Sequence, residues 1–449
     1  MTLPDPLRHP ISLMHGWIPI TIQIVAGIAL VAAIGWRNRR WRLMWLPWAV
    51  LCGVAVTAAT YWFIASEGLA GDPAPRGLWI WIGLSGAAAA VFIAGWRGAK
   101  WWRRGVAVTA LPLCLLCAAL ALNLWVGYFP TVQTAWNQLT AGPLPDETDQ
   151  VTVTAMQRRH QIPARGTVVH VQIGDEASGF KHRGELVYLP PAWYATNPPP
   201  RLPTVMMIGG EFNTPADWVR TGNAVSTADE FAAAHGGNAP VMVFVDAGGA
   251  FNNDTECVNG SRGNVADHLT KDVVPYMVSH FGASADRENW GIVGWSMGGT
   301  CAVDLAVMHP DMFSTFEDIA GDIAPNTGTK DQTIARLFGG NAAAYAAFDP
   351  TTAIRAHGIY SGLTGWFDIN SQGAVAQRSA ANSLCALGSA KGITCSVVGQ
   401  PGKHDWPFAS HAFAAALPWM AGQLATPGSP KVPLPARPPS VPIFQTVAK

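Results

Sequence analysis

The chain is 449 residues long with a formal net charge of zero, 49% hydrophobic residues and 20 tryptophans, which accommodates two or three domains and marks one of them as unsuited to water. The zero conceals an asymmetry, because residues up to Gly142 hold 10 Lys and Arg against 3 acids while Pro143 onward holds 19 against 26. No basic stripe of the size that nucleic acid requires is present, and without a metal-ligand cluster, dinucleotide fingerprint or phosphate loop no cofactor or metal is expected.

Four apolar stretches come first: Ile18 to Trp36, Met44 to Ala65, Leu78 to Trp96 and Val106 to Tyr128. Each is close to the ~20 residues that cross a bilayer. None carries an internal Asp, Glu, Lys or Arg, and tryptophans such as Trp17, Trp36, Trp79, Trp96 and Trp125 gather toward their ends, as interfacial aromatics do. The first stretch lacks a basic leader and is followed at once by a second span, unlike a cleaved signal peptide. Two connectors are basic, Arg37 to Arg42 and Arg97 to Arg104, whereas Ser66 to Gly77 holds Arg76 against Glu67 and Asp72. The positive-inside rule makes the two basic connectors cytoplasmic and everything after the fourth helix external. The expected organisation is a four-helix membrane domain over residues 1–138, a polar linker over 139–150, an exported domain over 151–425 and a proline-rich disordered tail over 426–449.

Cysteine placement fits that address. Cys52, Cys114 and Cys117 fall in the spans, leaving an even set of Cys257, Cys301, Cys385 and Cys395 in the exported part. In an oxidising compartment the expected pairs are Cys257 with Cys301 and Cys385 with Cys395.

The exported part alternates strands and helices. Thr167 to Ile173 and Gly184 to Leu189 read as an antiparallel opening pair, and Thr204 to Ile208 and Val241 to Val245 as buried parallel strands. Helical spacing over Ala266 to His280 follows, then strands Trp290 to Val293, Thr315 to Ile319, Gly358 to Tyr360 and Ile393 to Val398. Helices are expected near Ala374 to Gly388 and from Ser410 to Leu424. This order predicts a mostly parallel sheet with helices on both faces, an α/β hydrolase fold.

Between the strand ending at Val293 and a helix starting near Thr300 lies Gly294-Trp295-Ser296-Met297-Gly298. Strand, Gly-x-Ser-x-Gly turn and helix is the context of a nucleophile elbow. Serine needs a base to take its proton, and His404 in Gly402-Lys403-His404-Asp405-Trp406 follows the last strand, where that base belongs. His309, His357 and His411 are less well placed. The orienting acid is expected after the preceding strand, which selects Asp368, with Asp318, Asp322 and Asp349 as alternatives. The oxyanion donors would be the N–H of Met297 and that of Glu211 or Phe212, beyond Gly209-Gly210.

With those residues in place the exported half resembles the esterase family that includes esterase D and the antigen 85 mycolyltransferases. Besides the elbow, the likeness rests on Leu186-Val187-Tyr188-Leu189-Pro190-Pro191, the Gly209-Gly210 loop followed by Trp218, Leu337-Phe338-Gly339-Gly340-Asn341 leading to Asp349-Pro350, and the His404 segment. It spans most of Gly179 to Met420. The membrane half lies outside the likeness and looks like that of membrane-anchored actinobacterial relatives. The loop after Gly210 reads Glu-Phe-Asn-Thr-Pro-Ala-Asp-Trp and lacks the arginine that antigen 85 enzymes place near trehalose. The resemblance implies a membrane-anchored, extracytoplasmic serine esterase or acyltransferase working through an acyl-serine on a cell-envelope lipid or acylated sugar. The rival reading is a catalytically inactive hydrolase-fold sensor or assembly factor that binds envelope lipid or a partner protein.

Overall fold

A computed structural model describes residues 11–35, 38–66, 74–96, 99–140 and 142–436. They form two compact units whose main division falls between Gly142 and Pro143.

The first unit holds α1 (Trp17–Ile34), α2 (Leu46–Ser66), α3 (Arg76–Gly95) and α4 (Trp101–Val126), and each of the four is long and apolar enough to cross a membrane. Small residues set the packing distance: a Cβ on Gly53 would stand 2.5 Å from the carbonyl oxygen of Gly83, so α2 and α3 meet backbone to backbone. The fourth helix begins at Trp101 rather than Val106, because helical backbone continues past the apolar stretch into the basic flank. At its far end Asn123 donates to Phe129 O at 2.9 Å and accepts from Phe129 N–H at 2.6 Å.

In the second unit the strands are β1 (Glu147–Thr148), β2 (Thr167–Val171), β3 (Glu185–Leu189), β4 (Thr204–Ile208), β5 (Val241–Val245), β6 (Asn259–Gly260), β7 (Gly263–Asn264), β8 (Trp290–Trp295), β9 (Thr315–Ile319), β10 (Thr364–Asn370) and β11 (Thr394–Gln400). Nine form one sheet in the order β1-β2-β3-β5-β4-β8-β9-β10-β11, and β6 and β7 make a small hairpin. Within the nine-stranded sheet β3 runs antiparallel to β2 and β5, and the other pairings are parallel. β3, β4, β5, β8 and β9 are buried along their whole length, which the apolar runs of β4 and β5 reflect. From β4 the chain moves to β5 on one side, and from β8 to β9 on the other. The carboxyl ends of β4 and β8 therefore flank the point where strand order reverses, where open α/β sheets place their sites.

Several expectations are corrected. Gly358 to Tyr360 is not a strand: Tyr360 is buried with its hydroxyl on Val307 O, Gly362 has a positive φ of 68°, and the strand begins only at Thr364. The helix expected over Ala266 to His280 is interrupted by a π-helical stretch, His268–Val273, just ahead of Pro275, whose missing N–H leaves the ladder to rearrange. The polar linker contains β1 and the start of a helix, Gln150–Arg158, capped by Asp149. Residues 426–436 have no regular element, but they are not a free tail. Ser396 Oγ donates to Pro435 O at 2.7 Å and Gln423 Nε2 to Val432 O at 3.3 Å. The rest of the expected tail lies outside the described residues.

Candidate active site

Ser296 follows β8 directly, with φ 58° and ψ −119°. A non-glycine residue held there stores ~1–3 kcal/mol of strain, which its surroundings must enforce. Its N–H donates to Ile319 O at 2.9 Å, and its carbonyl accepts from Gly299 and Thr300 N–H at 2.8 and 3.2 Å. The flanking glycines are sterically required, since a Cβ on Gly294 would fall 1.6 Å from Gly298 O and one on Gly298 would fall 2.4 Å from Ile208 O. The helix Met297–Met308 starts at the next residue, so the Met297 N–H is among the amides that a helix leaves without an intrahelical acceptor. The expected disulfides are both formed, Cys257–Cys301 and Cys385–Cys395, and the first ties this helix to the loop after β5.

The Gly209-Gly210 loop lies against the elbow. A Cβ on Gly210 would be 3.3 Å from Ser296 Cβ and 3.5 Å from Trp295 O. Beyond it is a turn in which Asn213 N–H donates to Gly210 O at 3.1 Å and Gly210 N–H donates to Asn213 Oδ1 at 2.8 Å. Glu211 and Phe212 form the crown of this turn. Sequence reasoning missed what holds this turn. Arg183 Nη2 donates to Asn213 O at 2.9 Å and to Asp246 Oδ1 at 2.6 Å, while its Nε and backbone N–H both reach Asp246 Oδ2 at 3.0 and 2.6 Å. Burial opposes ionisation of Asp246, but the hydrogen bonds and charge of Arg183 outweigh it and hold the carboxyl below its usual range. The available signal was an acid directly after a buried strand with an arginine directly before its antiparallel neighbour.

His404 stands in the loop between β11 and the helix Trp406–Gln423. Burial lowers its pKa to about 4, so the ring is neutral at pH 7, the state in which an imidazole accepts a proton. The other histidines have structural surroundings: His309 closes the helix that follows Ser296, His357 stacks on Tyr360 and His411 lies exposed on the last helix.

Asp368 is found inside β10 rather than on a loop beyond it. Its Oδ1 accepts from Gln400 Nε2 at 2.6 Å, and its backbone carbonyl accepts from Ala320 N–H. Burial pushes its pKa up to about 7. Glu317, on the same face of the neighbouring strand, is raised well above the carboxylate range by burial and then by the charge of Asp368. Burial and the neighbouring charge make Glu317 the harder of the two to ionise. Asp318 accepts from Gly321 N–H at 2.7 Å, and Asp349 caps the helix Pro350–Ala356. Asp322 lies just past β9, its N–H on Thr300 Oγ1 at 2.9 Å and its Oδ2 accepting from Asn326.

Among the described residues one group, His182, Glu185 and His268, brings three metal-capable donors together. Glu185 Oε1 lies 2.6 Å from His182 Nδ1 and 3.1 Å from His268 Nε2, and Asp272 Oδ2 lies 3.3 Å from His268 Nδ1. The two rings stack at 4.1 Å with 26° between their planes, and one nitrogen of each meets the same Glu185 oxygen. The arrangement is a hydrogen-bonded ladder behind Arg183.

The family profile described as Putative esterase matches residues 181–420. An uncharacterized protein of Corynebacterium glutamicum is 28% identical over 419 residues, covering 90% of this chain and 95% of that one. The MPT51 antigen of Mycobacterium leprae is 28% identical over 137 residues, 28% of this chain and 42% of its own length. Among solved structures, an S-formylglutathione hydrolase from Agrobacterium tumefaciens is 18% identical with a TM-score of 0.47, covering 58% of this chain and 97% of that one. MPT51 of Mycobacterium tuberculosis is 16% identical with a TM-score of 0.42, covering 58% and 99%.

Proposed function

Because the chain belongs to the Putative esterase family, whose profile covers residues 181–420, we propose that it is a membrane-anchored serine esterase or acyltransferase acting on an ester of the cell envelope. The observation that carries this reading is the strained elbow at Ser296 with Gly210 packed beside it, at the point where strand order reverses.

In this mechanism Ser296 Oγ attacks the ester carbonyl as its proton passes to neutral His404. The amide of Met297 and the amides at the crown of the Gly210 turn receive the developing oxyanion. The ester C–O bond then breaks, the alcohol leaves with the proton from His404, and an acyl-serine remains for water or a second hydroxyl to take. Asp368 is the acid proposed to orient His404. Asp322 is the second candidate, favoured by its place on the loop past β9 beside the nucleophile helix. The positive-inside reading of the two basic connectors puts this chemistry on the outer face of the membrane, and the two disulfides agree with an oxidising compartment.

The test is covalent labelling of the detergent-purified full chain with a fluorophosphonate probe, paired with hydrolysis of a soluble p-nitrophenyl ester. Labelling at Ser296 that is lost in Ser296→Ala, with turnover, supports the enzyme. A folded protein that neither labels nor turns over overturns it in favour of a binding role. Envelope lipids and acylated glycans from a deletion strain and a Ser296→Ala strain would then identify the natural ester.

A further inference from the structure

We infer that Phe212 and Phe251 form an apolar platform that seats the aliphatic chain of the acyl group beside Ser296. This rests on the esterase reading and names its substrate class, an ester of a medium- or long-chain fatty acid. Phe212 is two residues beyond Gly210, whose Cβ position is 3.3 Å from that of Ser296. Two trans peptide steps keep its Cα within ~8 Å of Gly210, inside the reach of an acyl group bonded to the serine. Phe251, on the loop after β5, meets Phe212 at 5.5 Å between ring centroids. Phe251 is 70% exposed and Phe212 36%. Paired aromatic surface left in water beside a nucleophile is the mark of a ligand contact.

The exposure is imposed by the backbone. Asp246 accepts from the N–H groups of Gly248 and Gly249 at 3.2 Å. Asn253 Nδ2 donates to Gly248 O at 2.8 Å, and Thr255 Oγ1 to Ala247 O at 2.7 Å. With both limbs of its loop fixed, Phe251 cannot fold back into the core. Arg183 joins Asp246, at the root of that loop, to Asn213, in the turn that carries Phe212, so one guanidinium sets the separation of the rings. Their planes are inclined at 42°. A flat aromatic acyl group stacks on one face of such a pair and misses the other, whereas a flexible polymethylene chain lies across both.

The test measures kcat/KM for p-nitrophenyl acetate, butyrate, hexanoate, octanoate and cinnamate, using the full chain in one detergent at fixed concentration. The wild type should gain about two- to fourfold per added methylene and discriminate against cinnamate. Phe251→Ala should flatten that slope, and Phe251→Leu should restore much of it. An unchanged slope in Phe251→Ala, or a preference for cinnamate, overturns the platform while the esterase reading stands. Should the wild type hydrolyse none of these esters, the esterase reading fails first. Binding of a fluorescent fatty acid to Ser296→Ala then decides the platform by itself: binding weakened at least fivefold by Phe251→Ala supports it, and unchanged binding overturns it.

Discussion

Arg183 donates to the carbonyl oxygen of Asn213 at 2.9 Å while the same nitrogen holds Asp246 at 2.6 Å, so an ion pair on one side of the sheet fixes the turn proposed to bind the oxyanion. Removing one oxyanion donor costs an enzyme ~10²–10³ in kcat, and letting the turn drift should cost a fraction of that. Arg183→Met is therefore expected to lower kcat by about 10- to 100-fold with KM changed by less than about threefold. Arg183→Lys, which keeps the charge but not the fork, should recover part of the loss. Equal losses in kcat and thermal stability for both variants would instead assign Arg183 a purely structural role.

The elbow makes a contrasting demand, because at Gly298 the obstacle is backbone. An added Cβ would stand 2.4 Å from Ile208 O and 2.6 Å from Gly209 O, atoms that cannot rotate away. Gly298→Ala should abolish labelling of Ser296 and destabilise the domain by more than about 2 kcal/mol. Gly399→Ala, where the nearest atom would be Ser371 Cβ at 3.6 Å, is the tolerated control. Comparable melting curves for the two variants would show that the elbow relaxes more readily than its geometry implies.

Why the elbow was legible in sequence and Arg183 was not follows from distance along the chain. Strand, turn, serine and helix are contiguous, so the Gly-x-Ser-x-Gly pattern carries its own context, and of the three pairings open to four cysteines one is favoured by the local spacing of Cys385 and Cys395. Arg183 is separated by 30 residues from Asn213 and by 63 from Asp246. Only the order β3-β5-β4 brings the three together, and no local pattern encodes that order. Asp368 marks the intermediate case. The acid and a strand near it could be read, but the positive φ of Gly362 and the burial of Tyr360 delay the strand, so the carboxylate lies within β10 and pairs with Gln400. Comparing Asp368→Asn with Asp322→Asn in kcat separates the two candidate acids, since the residue that orients His404 should cost ~10⁴-fold and the other far less.

In the proposed mechanism His404 sets the acid limb of the pH profile. Burial brings its pKa to about 4, and a base must be neutral to take the serine proton. In the free enzyme kcat/KM should stay level from pH 7 down to about 5 and fall tenfold per unit only below about 4. An ordinary histidine would place that limb near 6.5. A limb measured at 6 to 7 would mean that the ring is open to water in the working enzyme.

A second histidine should shape stability rather than rate. Burial alone would lower the pKa of His182, but its hydrogen bond and charge interaction with Glu185 outweigh that and raise it from 6.5 to about 9. A base whose folded pKa lies above its unfolded value binds more protons when folded, so its contribution is complete below pH 6.5 and is lost as the pH rises through about 9. The second unit should therefore lose stability between pH 6.5 and 9, and His182→Gln should be destabilised at pH 6 with most of that slope removed. The pH dependence of the urea midpoint in wild type and variant checks this. Parallel curves would show that His182 is neutral in the folded protein, and that Glu185 is held by His268 without an imidazolium at position 182.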